Sequence, residues 1–188
     1  MEFPLTTRFV DRGSGEWVPG VIRSATDQDL LLWTAWRYGA ADQDRGWDWW
    51  GIYLECPESR GRYECYAALA LDDLQGLTVL DLKTKATTVG RAITVDYLAT
   101  NPANRKATHG LKHIGVAFMA VAITRSVKAG AGGRVWLESL PGAASFYENL
   151  GLAKQPRRSA EGNVIYVLAP GTAEQLLDEI KAEGIIVP

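Results

Sequence analysis

Cysteine and histidine are nearly absent from this chain. Cys56 and Cys65 are the only cysteines in 188 residues, and their spacing fits neither a redox CxxC nor a compact zinc pair. A disulfide framework is thereby excluded, and two reduced structural thiols are expected. The two histidines, His109 and His113, stand four positions apart, as two ligands on one helix face would. No cysteine or carboxylate at motif spacing completes a metal site around them, so no metal is expected. An excess of one charge is missing too: the net charge is -2, which gives no global attraction to nucleic acid, and none is expected as a partner. No apolar run approaches the roughly 20 residues needed to span a bilayer. The opening MEFPLTTRFVDRG has no signal-type apolar core, and a cytoplasmic protein with no membrane partner is expected. Internal repeats, low-complexity tracts and linkers are also lacking, which leaves one domain over 1–188.

What is present is an ordinary globular composition, 47% hydrophobic and 22% charged, with seven tryptophans. The region Glu16 to Ser24 reads as a first strand broken at Pro19-Gly20. Thr26-Asp27 opens a helix expected to run through Trp36 and Tyr38 until Gly39. A second helix is expected from Asp44 to about Cys56, carrying Trp47, Trp49, Trp50, Tyr53 and Leu54. These aromatics are either core or the wall of an acceptor pocket. Tyr63 to Leu71 and Leu77 to Thr84 read as a hairpin joined through residues 72–76. Lys83, Lys85 and Arg91 beside the next connection are read as solvated loop charges. Near the end, Leu152 to Gln155 and Asn163 to Ala169 read as strands, and Thr172-x-x-Gln175 as the capping box of a last amphipathic helix.

Residues 92 to 150 carry the most information. Ile93, Val95, Tyr97 and Ala99 alternate with Thr94, Asp96, Leu98 and Thr100, as in a strand stopped by Asn101-Pro102. From about Lys112 the period becomes helical, through Ile114, Phe118, Val121, Ala122 and Arg125, so a helix is expected over about 111–128 before Gly130. Lys112, His113, Ile114, Gly115, Val116 and Ala117 form its first turn, where backbone N–H groups lack intrahelical partners. Small side chains there leave the donors open to an anion at the positive end of the helix dipole. Close packing of Gly115 and Ala117 against the sheet is the competing explanation. The element order gives a mixed sheet covered by helices.

The pattern Lys112-x-x-Gly115-x-Ala117 after a strand ending in Asn101-Pro102, with Ala143-x-x-Phe146-Tyr147-Glu148-Asn149-Leu150-Gly151-Leu152 further on, resembles the GNAT superfamily of acyl-CoA-dependent N-acyltransferases. The likeness covers roughly the second half of the chain. Lys112 stands where arginine or glutamine is usual and Leu140 where many members have asparagine. The loop from Ala103 to Leu111 is longer than usual, and Arg105 to Gly110 offers an alternative start of the motif. The resemblance implies a mixed α/β (α+β), mostly antiparallel central sheet of about six to seven strands flanked by helices. It also implies a splay between the family's fourth and fifth strands, here Ile93 to Thr100 and Arg134 to Leu140. Acetyl-CoA would be the co-substrate, its pantetheine arm pairing with backbone near Leu98, Ala99 and Thr100 and its pyrophosphate held by residues 112–117.

Such an enzyme moves an acetyl or similar acyl group to a primary amine by direct attack. It needs a base to take the amine proton, for which Asp96 and Glu138 on the two splayed strands are candidates. Backbone N–H near Leu98 or Ala99 would polarise the carbonyl. Tyr147 aligns with the family tyrosine that protonates the coenzyme A sulfur. The acceptor is a small-molecule or peptide amine, and a homodimer is compatible with the sequence. Two alternatives remain at this level. One is an inactive acyl-CoA-binding regulatory or interaction module. The other is a nucleotide-phosphate binder through Gly110-x-x-x-x-Gly115, which lacks the Lys-Ser/Thr that should follow.

Overall fold

The computed structural model describes residues 4–105 and 108–187. Strand β1, Leu5–Asp11, buries Leu5, Thr7 and Phe9 between outward-facing Thr6 and Arg8. A threonine interrupts its apolar face, which weakens the strand pattern in the sequence. It ends at Asp11, whose carboxylate accepts the N–H groups of Gly13 and Ser14 at 2.8 Å each and so folds the turn. Strand β2, Trp17–Ser24, returns antiparallel. Gly20 lies under the Phe9 ring, where a Cβ would come within 2.4 Å of Cε2.

Helix α1, Asp27–Trp33, is shorter than expected. The chain leaves the helix before Trp36, whose indole N–H donates to the Leu74 carbonyl at 3.3 Å. Helix α2 spans Trp49–Glu58, so the expected start at Asp44 is corrected: Asp42 and Asp44 are drawn instead into ion pairs with Arg105 at 2.8 and 2.6 Å. Strands β3, Tyr63–Ala70, and β4, Asp73–Thr87, form the expected hairpin with a tighter turn. Leu71 and Asp72 both take positive φ, 55° and 57°, the geometry of a two-residue hairpin loop. Neither residue announces it.

Strand β5 covers Gly90–Thr100, a two-residue strand β6 covers Leu111–Lys112, and helix α3 covers Ile114–Lys128. Strand β7, Val135–Ser139, leads through a 3-10 turn at Pro141–Ala143 into helix α4, Ala144–Asn149. Strands β8, Ala153–Arg158, and β9, Val164–Leu168, precede helix α5, Pro170–Ala182. The last helix is capped differently from the expectation: Pro170 occupies its first turn, where a missing N–H costs nothing, and Thr172 lies inside it.

Among the described residues the sheet has nine strands in the order β6-β1-β2-β3-β4-β5-β7-β9-β8, two more than the upper expectation. The extra members are β1, which the sequence reading missed, and the short β6 that pairs with it. Pairing is antiparallel except between β5 and β7. Helices α3 and α5 cover one face over a core that includes Phe9, Phe118, Val121 and Tyr166. Helices α1 and α2 cover the other, over Leu30, Trp36, Trp49 and Leu77. Near the C terminus, Ile185 and Ile186 are buried against β1, where the Ile185 carbonyl accepts the Arg8 N–H at 2.8 Å. Cys56 and Cys65 are free and buried in the second cluster, and no helix among the described residues is long and apolar enough to cross a membrane.

Candidate active site

The site opens where β5 and β7 part. The two strands run parallel and pair only at Ile93↔Val135, Thr94↔Trp136 and Val95↔Leu137. On the other side of β5, Val79 opposes Tyr97 and Leu80 opposes Val95, which leaves Asp96 as the extra residue of a β-bulge. A bulge bends its strand and raises the local twist, which accounts for the loss of pairing just there. Side-chain phase changes as well. Ile93, Val95 and Leu98 join the core beneath α3, whereas Tyr97 and Ala99 join the opposite cluster. The simple alternation expected through Ala99 therefore breaks at Asp96.

A cavity of about 700 Å³ fills the divergence, with Leu98, Ala99 and Thr100 on one side and Leu140, Ala143, Phe146 and Tyr147 on the other. Lys112, His113, Ile114, Gly115 and Val116 line it at the start of α3. Ala117 does not: it is buried, and its N–H already donates to the His113 carbonyl at 2.9 Å. The amides of Ile114, Gly115 and Val116 precede that first intrahelical bond and are left to an outside acceptor. His113 enters the helix in the left-handed region, φ 73°, and a left-handed residue beside helical ones aims successive amides at one point, as anion sites require. Burial pushes the His113 imidazole below its ordinary pKa. Gly115 also satisfies the packing explanation, because a Cβ there would lie 2.9 Å from Cζ of Phe146. One missing methyl serves both demands.

Several residues that sequence reasoning did not select complete this cavity. Arg12 lines it. Its Nε is buried with no hydrogen-bond partner among the described residues, while its backbone N–H donates to the Gly110 carbonyl at 2.9 Å. Arg12 and Lys112 thus put two cations beside the open amides. Residues 41–44 cross the mouth. Arg105 holds Asp42 and Asp44 on the β5 side and donates to the Thr100 carbonyl at 2.7 Å. Gln43 Oε1 accepts the Gly142 N–H at 2.8 Å on the β7 side. Only the loop contacts tie these distant residues together, and no local spacing could have marked them.

A second cavity of about 430 Å³ adjoins the first and shares Leu98, Leu140, Ala143 and Tyr147 with it. Asp96, Glu138 and Glu161 supply its carboxylates, Lys85 its cation, and Trp47, Tyr97 and Trp136 its aromatic wall. The tryptophan cluster therefore divides: Trp49 is fully buried core, and Trp47 faces the cavity, its ring edge-on to Tyr97 at 5.1 Å. Asp96 is open to solvent on the cavity side, yet its pKa rises to about 6, first because the walls desolvate it and then because the Asp81 and Glu138 carboxylates lie near. Tyr147 sits on the shared wall, and burial pushes its phenol up to about 12. It is protonated at neutral pH. The structure thus brings Tyr147, Asp96 and Glu138 to one cavity, and eight of the nine expected cofactor-binding residues to the other.

The cation-flanked amides, the unpaired edge of β5 and the volume between the strands fit a nucleotide thioester with a long amide-bearing arm. A mostly antiparallel sheet with helices on both faces, opened at its one parallel pair, is the GNAT fold. Solved structures agree. A putative GNAT-family acetyltransferase from Desulfovibrio desulfuricans superposes with a TM-score of 0.56 at 18% identity, covering 80% of this chain and 99% of that one. A variant of the AtaT toxin bound to acetyl-CoA and the C-terminus of the antitoxin AtaR gives 0.52 at 17% identity, over 85% and 98%. An acetyltransferase from Bacillus subtilis in complex with CoA gives 0.50 at 20% identity, over 79% and 97%. No family model matches the sequence, and no curated protein matches it significantly.

Proposed function

We propose that the protein transfers an acetyl, or similar acyl, group from coenzyme A to a primary amine by direct attack. The observation that carries this reading is the meeting of the two cavities at Tyr147, where the strands separate. Coenzyme A would supply the acyl group as a thioester. Residues Ile114 to Val116, with Lys112 and Arg12, would hold its phosphates, and the free edge of β5 at Leu98 and Ala99 would pair with its arm. An N–H near Leu98 or Ala99 would polarise the carbonyl.

Asp96 takes the amine proton, since its pKa near 6 leaves it ionised at neutral pH and still basic enough to accept. Tyr147 gives its proton to the departing sulfur as the C–S bond breaks and the C–N bond forms, and solvent restores it. Glu138 stands beside Asp96 as the second carboxylate. The competing reading, an acyl-CoA-binding module without turnover, is less well supported because an open cavity with three carboxylates adjoins the thioester position.

The test is twofold. Calorimetry is expected to show binding of coenzyme A, and a thiol-release assay with acetyl-CoA and an amine panel is expected to show amine-dependent turnover. Binding without release across a broad panel would favour the non-catalytic module; no binding would sink both.

A further inference from the structure

The second cavity holds more charge and more aromatic surface than a single amine needs. Its lining has three carboxylates, Asp96, Glu138 and Glu161, against one ammonium, Lys85. With Asp96 assigned to the reacting amine, two carboxylates are left for something else. Glu138 and Trp136 stand two residues apart on β7, and both keep partial exposure. Glu161 faces them from the turn between β8 and β9.

Two further observations point to an occupant. The hydroxyl of Thr94, a residue 1% exposed that lines the cavity, has no hydrogen-bond partner among the described residues. A buried unpaired hydroxyl is costly, and a polar group entering the cavity relieves it. The Lys85 ammonium, in turn, lies 4.3 Å from the centroid of the Trp136 ring. The chain's own alkylammonium therefore already rests on this aromatic face, which shows that the surface accepts one. Lys85 is on β4 and exposed, so a ligand cation can displace it or sit beside it.

We propose that the acceptor is a small diamine, one amino group reacting beside Asp96 while a second positive group is held by Glu138, Glu161 and the face of Trp136. The proposal rests on the acyl-transfer reading of the site. The volume, about 430 Å³, fits a short aliphatic chain with two charged ends, and the aromatic walls cover its methylenes. A basic peptide carries the same cation pair; a volume of about 430 Å³ suits the free molecule.

The experiment compares 1,5-diaminopentane, 1-aminopentane and a lysine-rich peptide, by calorimetry on the intact protein and by coenzyme A release. The diamine is expected to bind about tenfold or more tightly than the monoamine, and its kcat/KM to exceed the monoamine's by a similar factor. In Glu161→Gln the diamine-to-monoamine ratio is expected to fall about fivefold or more. Equal binding of the two amines, or an unchanged ratio in Glu161→Gln, overturns the proposal even if acetylation proceeds. Diamine-selective binding with no release from any amine supports the cation site and overturns the catalytic reading instead. A peptide preferred over the diamine overturns the small-molecule assignment.

Discussion

Tyr147 and Asp96 both owe their proposed roles to desolvation, which raises the pKa of each. Burial keeps Tyr147 protonated, with its pKa near 12, which suits an acid that must donate at neutral pH. Tyr147→Phe keeps the ring packed between Phe146 and Tyr166, at centroid distances of 5.0 and 5.9 Å, and removes only the donor. Turnover is expected to fall by roughly 100-fold with the KM for acetyl-CoA nearly unchanged; steady-state kinetics would show equal turnover if the assignment is wrong. Asp96, raised to about 6 by its walls and by Asp81 and Glu138, and opposed by Lys85 and Arg62, must be ionised to act. The rate is expected to fall as pH drops through about 6, and Asp96→Asn to abolish that limb of the pH profile. Stability carries the opposite sign. A carboxyl whose folded pKa lies above its unfolded value costs stability that builds up as pH rises from the unfolded value, about 4, to the folded value, about 6, so Asp96→Asn is expected to raise Tm at pH 8 more than at pH 4.

At the scale of elements, the start of α3 is where packing and binding compete. Phe146 of α4 occupies the space beside Gly115, so the helix can keep three amides bare only because no Cβ is there. Gly115→Ala is expected to cost about 1–3 kcal/mol through overpacking, despite alanine's better helix propensity. Phe146→Leu in the same chain should return part of that loss, and urea denaturation of the two variants measures it. If Gly115→Ala is neutral or stabilising without the second change, the close approach of the two helices is not what selects glycine.

For the molecule as a whole, the ion pairs of Arg105 matter because they join the loop at 41–44 to the end of β5. Asp44 keeps only 7% side-chain exposure and Arg105 28%, so Arg105→Leu strands a nearly buried carboxylate. Breaking a fully buried pair costs about 3–5 kcal/mol, and the exposure of Arg105 lowers the expected loss here to about 2 kcal/mol, measurable by chemical denaturation. Much of the central architecture was legible beforehand. The helical period from Ile114, the hairpin at Tyr63 and the strand before Asn101-Pro102 follow from local periodicity. What stayed hidden depends on contacts distant in sequence. Asp44 reads as the start of a helix until Arg105 claims it. Arg12 in the opening segment, Thr94 in a strand and Lys85 among solvated loop charges give no sign of a site until the sheet carries them to the cavities.

The insertion of Asp96 into β5 has a last consequence. Removing that residue would make Val95 and Tyr97 successive opposite Leu80 and Val79, so positions 97 to 100 would keep their faces while the strand lost its bend. A deletion there would straighten the wall of the cleft, so a single codon keeps β5 bent away from β7.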